Sequence, residues 1–447
     1  MSTIKKRMVF YIKVKLASPL SVSSGDDEWT DSDVLKNADE KPFVPGSSLA
    51  GAMRAYLGYD KTKNCFMGYS DKDANGKMSS LFISDLEFDG DTTLSVRDGV
   101  KLDDNKTAVD GSKYDIEIIE AGAKAYFYME LTIRADDDEN SMISEIKKIF
   151  HGLDSGEIRL GKKKTRGFGE LKIEKIKSES YDKNNYTEYE NAFNKGTWEN
   201  KEDRKSKWVS DNENQMIHVK VPLKLDGGIS IRQYAGIKGE PDFVHICSNG
   251  EPVIPGSSMA GAIRHRIDII LRDLYLKESC DGKYTENTID RFKEKADEEE
   301  RKESIEKAKK AIDDSFGYVN GKDSAISDII FSEAIIKDAK KLTSVRTAVS
   351  RFESSAKKGS LYKEETYVGG TTNIEITIRK NEKAKWILGF LLLAVKDLQN
   401  GLLSVGGQTA IGRGIFSENG PISIDGEQGK ENDYIKETWK YMKGACK

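Results

Sequence analysis

Ser47, Gly51 and Arg54 stand four and then three residues apart in PFVPGSSLAGAMR (Pro42–Arg54). Ser257, Gly261 and Arg264 repeat that spacing in PVIPGSSMAGAIR (Pro252–Arg264). On a helix, residues so spaced share one face. A helix that starts after Pro45 or Pro255, capped by Ser47 or Ser48 and by Ser257 or Ser258, presents unpaired N–H groups and the positive end of its dipole. That arrangement suits a phosphate. Glycine lets a backbone come close, and arginine can fork onto phosphate oxygens. The alternative is a plain helix start whose Gly and Ala pack tightly on a sheet. The repetition, and an Arg closing a face of small residues, favour the first reading.

Two glycine-rich loops carry a second candidate chemistry. RLGKKKTRGFGEL holds Lys162, Lys163, Lys164 and Arg166, and SVGGQTAIGRGIF holds Arg413. Neither loop is a Walker loop or a dinucleotide fingerprint, because the required spacing of glycines and Lys-Ser/Thr is missing. Glycines beside cations suit backbone contact with a polyanion.

These elements belong to a longer repeat. Each phrase follows an alternating stretch, VFYIKVKLASPLSVSSG or IHVKVPLKLDGGISI. FMGYSDKDANGKMSSLFISD echoes FGYVNGKDSAISDIIFSE, SVRDGV echoes SVRTAV, and Gly161, Gly167 and Gly169 match Gly406, Gly412 and Gly414 at a constant offset. The parts keep one order, so the chain reads as a tandem duplication: residues 1–178, a polar linker at 179–215, and residues 216–447. The second copy is longer through a charged segment at about 281–314, expected as a solvated helical arm. Strand, helix, strands, helix and strand predict an α+β fold of the ferredoxin-like class, with helices on one face of an antiparallel sheet. WILGFLLLAV (Trp386–Val395) is too short to span a bilayer and predicts a buried helix.

Composition narrows the function classes. The net charge of −4 advertises no global basic field, so any nucleic-acid affinity must come from local cations. The basic, alternating N-terminus reads as a strand and not a signal peptide. The four cysteines have no CxxC spacing, and His245 with Cys247 is too few ligands for zinc. The chain is expected to be cytoplasmic, with no membrane partner.

The PGSS helix motif, repeated with a terminal G-x-G loop, resembles the RAMP superfamily, and more narrowly the fused double-backbone subunits of type III (III-D-like) CRISPR effector complexes. The resemblance covers both halves apart from the linker and the charged insertion. It implies two RRM-like domains that grip guide crRNA by its backbone, pair it with complementary target RNA and work beside other effector subunits. It also implies a thumb hairpin in each, here at about 97–118 and 346–368, starting at Arg97 and Arg346. Several relatives cut target RNA through an acidic residue in the loop before the PGSS helix, with Mg²⁺ or Mn²⁺. In the first copy Asp31 and Asp33 match, and in the second the loop's aspartate is Asp242. Counting back from the proline puts Asp242 opposite Ser32, between the two candidates. His245 lies near Asp242 as a possible general acid, but Leu35 holds its column in copy one. The expectation is a metal-dependent endoribonuclease with one site per domain. The alternatives are a non-catalytic RNA-binding scaffold and a guide-processing endoribonuclease. The scattered histidines, none repeated between copies, argue against the last.

Overall fold

The structure is a computed structural model that describes residues 3–23, 30–58, 65–69, 76–90, 92–103, 107–209, 213–234, 241–279, 298–321 and 323–443. Met1–Lys164 with Phe168–Asn214 forms one compact unit, and Thr165–Gly167 with Gln215–Lys447 the other.

In the first unit the regular elements are β1 (Ile4–Leu16), α1 (Gly46–Leu57), β2 (Leu81–Ile83), β3 (Leu86–Phe88), β4 (Leu94–Leu102), β5 (Ala108–Ile119), β6 (Lys124–Arg134), α2 (Glu139–Ser155) and β7 (Leu171–Tyr181). The main sheet is antiparallel. β1 lies between β6 (Phe10 opposite Met129) and β7 (Leu16 opposite Leu171), and β2 and β3 add to the far side of β6. Phe10, Ile12, Val14 and Leu16 point to one core with Leu49 and Met53 of α1 and Ile146, Ile149, Phe150 and Leu153 of α2. α2 is well punctuated. Asp138 accepts from the N–H groups of Asn140 and Ser141, and Gly156 closes the helix in the left-handed region.

The second unit repeats the plan. Its elements are β8 (Met216–Asp226), β9 (Arg232–Tyr234), β10 (Phe243–His245), α3 (Gly256–Ser279), α4 (Glu298–Phe316), β11 (Ile329–Phe331), β12 (Lys340–Arg346), β13 (Tyr362–Val368), β14 (Thr371–Arg379), α5 (Ala384–Gln399), β15 (Ile415–Glu418) and α6 (Glu431–Met442). β8 is again central, between β14 and β15, with β11 outside β14. β4–β5 and β12–β13 are the two hairpins expected as thumbs.

Two expectations need correction, and a third is borne out but incomplete. The segment read as a linker packs on the first unit. β1 alternates Val9 and Tyr11 onto the face opposite the helices, and Trp198, Ala192 and Tyr181 bury that face. The Trp198 ring stacks 6.0 Å from Tyr11 and donates to Ala192 O at 2.8 Å, while Trp208 joins the main core and donates to Ser178 Oγ at 3.0 Å. Two tryptophans outweigh the polar composition around them. Second, α4 is no free arm. Glu300, Ser304, Ala308, Ala311, Ile312 and Ser315 form a buried stripe at helical spacing, and Ala308 and Ile312 share a core with Leu271 and Tyr275 of α3. Residues 281–297 of that insertion lie outside the described residues. Third, Trp386–Val395 is the buried helix expected, but its outer side is covered by α6, which the sequence reading did not identify. Tyr441 stacks on Trp386 at 3.9 Å, and Thr438 donates to Trp386 O at 2.7 Å. Among the described residues no helix is long and apolar enough to cross a membrane.

If 182–209 is part of the first fold, Trp198→Ala should lower its unfolding free energy by about 3–5 kcal/mol. Urea denaturation of the full chain checks this, and an unchanged midpoint would show the segment to be dispensable.

Candidate nucleic-acid interface

Both repeated helices begin two or three residues earlier than the serine caps predict. α1 starts at Gly46 after Pro45, with no side-chain cap from Ser47 or Ser48, and α3 starts at Gly256. The glycine is required by close approach. A Cβ on Gly46 would overlap the carbonyl oxygens of Ile83 and Ser84, and one on Gly256 that of Phe331. In α1 the Asp85 carboxylate accepts from Gly46 N at 2.7 Å. One N–H group of that helix start is therefore already satisfied.

The shared face is only partly available. Ser47, Ser48, Gly51, Ser257 and Gly261 are exposed, and Ser258 is half-buried. A Cβ on Gly51 or Gly261 would meet nothing within 4 Å. A glycine inside a helix costs about 1 kcal/mol relative to alanine, and no contact among the described residues explains either one. This contradicts the reading in which they pack on the sheet. Arg54 is not free for a phosphate, because its Nη2 donates to Met67 O and to Gly68 O at 3.0 Å. Arg264 is exposed, 3.5 Å from Asp313 and over the Phe316 ring.

The acid loop and the hairpin meet in the same way in both units. The Asp31 carboxylate accepts from Asp115 N on β5 at 2.9 Å, and Asp115 answers by accepting from Asp31 N at 3.0 Å. In the second unit the Asp242 carboxylate accepts from Lys363 N on β13 at 2.7 Å. Asp115 and Lys363 follow the matching GSKY and GSLY stretches. Asp242 is therefore the counterpart of Asp31, one residue off the count from the proline. Asp33 instead accepts from Thr30 N and Oγ1, at 2.9 and 2.7 Å, within its own turn. Asp31 and Asp242 are both exposed.

The glycine loops close the third side. Gly161, Gly167, Gly169, Gly406, Gly412 and Gly414 all have left-handed φ. Leu160 N donates to Gly169 O and Val405 N to Gly414 O, each at 2.9 Å, while Gly169 N donates to Pro19 O and Gly414 N to Gly228 O, each at 2.8 Å. These loops fold as tight turns sewn to the end of the first strand. In the first unit Lys162 Nζ reaches Ser32 Oγ at 2.8 Å in the acid loop, Lys163 sits 3.9 Å over the Tyr114 ring, and Lys164 is exposed; Arg166, on the short stretch that belongs to the other unit, is exposed as well.

A model of the RAMP superfamily matches residues 13–172 and 235–417. The chain belongs to the RAMP superfamily. Its members are in general CRISPR-associated RNA-binding proteins that work in RNA–protein complexes. The search of curated proteins finds no match.

The two RAMP units differ along the hairpin. Arg97 is buried in the first and pairs with Glu120 at 3.5 Å, so it is not exposed to a ligand. In the second, Arg346 and Arg413 gather with Arg232, which sequence reasoning missed, around the fully buried Glu364. Arg232 Nη2 and Arg413 Nη1 lie 3.2 Å from the carboxylate and Arg346 Nε 3.9 Å. Ser230 Oγ donates at 3.0 Å and Gln408 Nε2 at 3.1 Å. Burial pushes the Glu364 carboxyl up, but the Ser230 hydrogen bond, Arg413, Gln408 and Arg232 outweigh it and hold it below the usual range.

His245 is structural. It is 2 % exposed, its Nδ1 accepts from Ile231 N at 3.0 Å, and its Nε2 lies 3.1 Å from Val253 O. That partnering requires the Nε2–H tautomer, and burial pushes its pKa down to about 4. It has no nitrogen left to act as a general acid. Among the described residues no three His, Cys, Asp or Glu side chains converge as a metal cage. A Mg²⁺ bound through one carboxylate, substrate phosphate and water needs no such cage, and exposed Asp31 and Asp242 fit that donor set.

Two measurements follow. Between pH 6.5 and about 4 the unfolded chain binds a proton on this residue that the folded chain refuses, so stability rises with pH across that window. His245 by itself removes about 3 kcal/mol once the pH is below 4. Its ring should stay neutral by NMR down to about pH 4, and titration near 6.5 would show a hydrated ring. Gly51→Ala and Gly261→Ala should each stabilise the fold by about 0.4–1 kcal/mol while weakening RNA binding at least ~3-fold. Tighter or equal binding would remove the face from the interface.

Proposed function

We propose that this chain is a double backbone subunit of a type III (III-D-like) CRISPR effector, each unit a ferredoxin-like, RRM-like domain that binds guide crRNA and cuts the paired target RNA. The observation that carries the reading is the equivalence of Asp31 and Asp242. Within a RAMP chain, both units present one exposed carboxylate that accepts a backbone hydrogen bond from the second strand of a hairpin.

The chemistry asks little of the protein. RNA supplies the nucleophile, its 2′-OH, and a hairpin wedged between guide and target would splay the strand and align that oxygen with phosphorus. The hydrogen bond to Asp115 N or Lys363 N fixes where each carboxylate stands relative to the hairpin. The carboxylate is placed to accept the 2′-OH proton or to hold a divalent ion. Mg²⁺ or Mn²⁺ held by Asp31 or Asp242 would supply Lewis-acid stabilisation of charge at the phosphate. Asp33, engaged by Thr30, shapes the first loop. The open helix faces at Gly51 and Gly261, with Lys164, Arg166 and Arg264, give the RNA backbone its approach.

The second reading is a scaffold of the same complex, without catalysis. Asp31→Asn and Asp242→Asn discriminate, since the amide oxygen still accepts from the backbone N–H while the charge is lost. In the assembled complex with guide RNA, labelled complementary target and Mg²⁺, each variant should lose one distinct cut by ~10²-fold or more with target binding intact. Asp33→Asn should leave both cuts. An unchanged ladder in both variants would make the chain a scaffold.

A further inference from the structure

We propose that Arg232, Arg346 and Arg413, fanned around Glu364, form a phosphodiester-binding site against the second unit's hairpin, and that the first unit has no equivalent. The charge count carries it. One carboxylate faces three guanidinium groups, an excess of two positive charges. The Glu364 oxygens already accept from Ser230, Gln408 and Arg232. Each guanidinium brings five donors, so most N–H groups in the fan find no acceptor on Glu364. The three cations also crowd one another. Burial, together with Arg346 and Arg232, drives Arg413 below the usual arginine range, with Glu364 opposing. Such an excess is unfavourable unless an anion completes it.

The site is open on one side. The side chains of Arg232 and Arg346 keep 35 % and 36 % of their surface exposed, against 9 % for Arg413 and none for Glu364. Glu364 and Arg413 form the floor, and Arg232 and Arg346 form a partly exposed rim whose Nε edges face Glu364. Arg232 lies over the Phe243 ring at 4.7 Å and within 6.0 Å of Tyr362, which orients its plane. Planar forks of this kind match the paired oxygens of a phosphate. Phe243 follows Asp242, and Glu364 follows the Lys363 whose N–H holds Asp242. The fan therefore adjoins the candidate cleavage carboxylate.

The first unit shows that the fold does not need these charges. Ile116 follows Asp115 as Glu364 follows Lys363, and Phe168 precedes Gly169 as Arg413 precedes Gly414. There Ile116 and Phe168 pack together as a small apolar cluster. An apolar pair holds the same junction where the second unit keeps a buried carboxylate and a buried guanidinium. Since an apolar replacement of a buried ion pair is often neutral or stabilising, the charges point to a ligand.

Naming RNA as the source of the phosphodiester rests on the function proposed above; anion binding itself does not. The test uses the full chain and the Arg232→Gln/Arg346→Gln variant, which leaves the buried Glu364 and Arg413 in place. Inorganic phosphate should raise the thermal midpoint of the wild type and not that of the variant. Binding of a labelled single-stranded RNA, followed from about 50 to 200 mM salt, should weaken ~10-fold or more in the variant, with the salt slope shallower by about 0.7 for each phosphate that the variant no longer neutralises. Phosphate protection confined to the wild type, without RNA binding by either protein, would sustain the anion site and sink the RNA reading. Equal phosphate protection and an equal salt slope in both proteins would overturn the inference.

Discussion

One hydrogen bond recurs in both candidate sites: an aspartate carboxylate in the loop before the PGSS helix accepts a backbone N–H from the second strand of the hairpin. Other contacts tie each loop down further. Beyond it the first unit shows Glu117 N donating to Ser32 O at 3.0 Å, and the second a single parallel pairing of Phe243 with Glu364. The hairpin is in turn seated by its link to the central part of each unit, through Leu20 opposite Ile119 and Ile229 opposite Tyr367. A charged acceptor makes a stronger hydrogen bond than a neutral one. It lets an exposed loop keep one register against a long hairpin.

The duplication makes the two units controls for each other. What recurs is backbone geometry: the glycine forced against a strand carbonyl, the left-handed glycines of the terminal loop, and the aspartate on the hairpin N–H. What diverges is the chemistry laid on it. Ile116 with Phe168 and a balanced Arg97–Glu120 pair stand in one unit, and a carboxylate with three arginines in the other. Backbone constraints tolerate little change because a Cβ at those glycines would overlap backbone atoms or, at Gly412, would have to sit on a left-handed φ. Side chains at a partly open junction can exchange an apolar pair for an ionic one.

Several features were legible before any coordinates. Alternating stretches, two PGSS phrases and one apolar helix per half placed the strands and helices, because these patterns reflect burial that each element must achieve. Others depended on partners far along the chain. Arg54 reads as a phosphate ligand until Met67 and Gly68 present their carbonyls to it. Residues 179–215 read as linker because composition averages out Trp198 and Trp208, while Trp198 is buried on the second face of β1 and Trp208 in the main core beside Phe10 and Phe150. The stripe on α4 is built from one Glu, two Ser, two Ala and one Ile, too weak an apolar signal to mark a packed face.

The sequence by itself determined the duplication, the order of elements and the three kinds of residue that could meet RNA, since repeats and periodicity are properties of the chain. Tertiary structure decided which of them are available. It matched Asp242 with Asp31, engaged Arg54, Arg97 and His245 internally, left Gly51 and Gly261 open, and brought Arg232 to Arg346 and Arg413. Availability turns on distance between residues remote in sequence, and a hydrogen bond or ion pair is won or lost over about 1 Å. No local pattern encodes that.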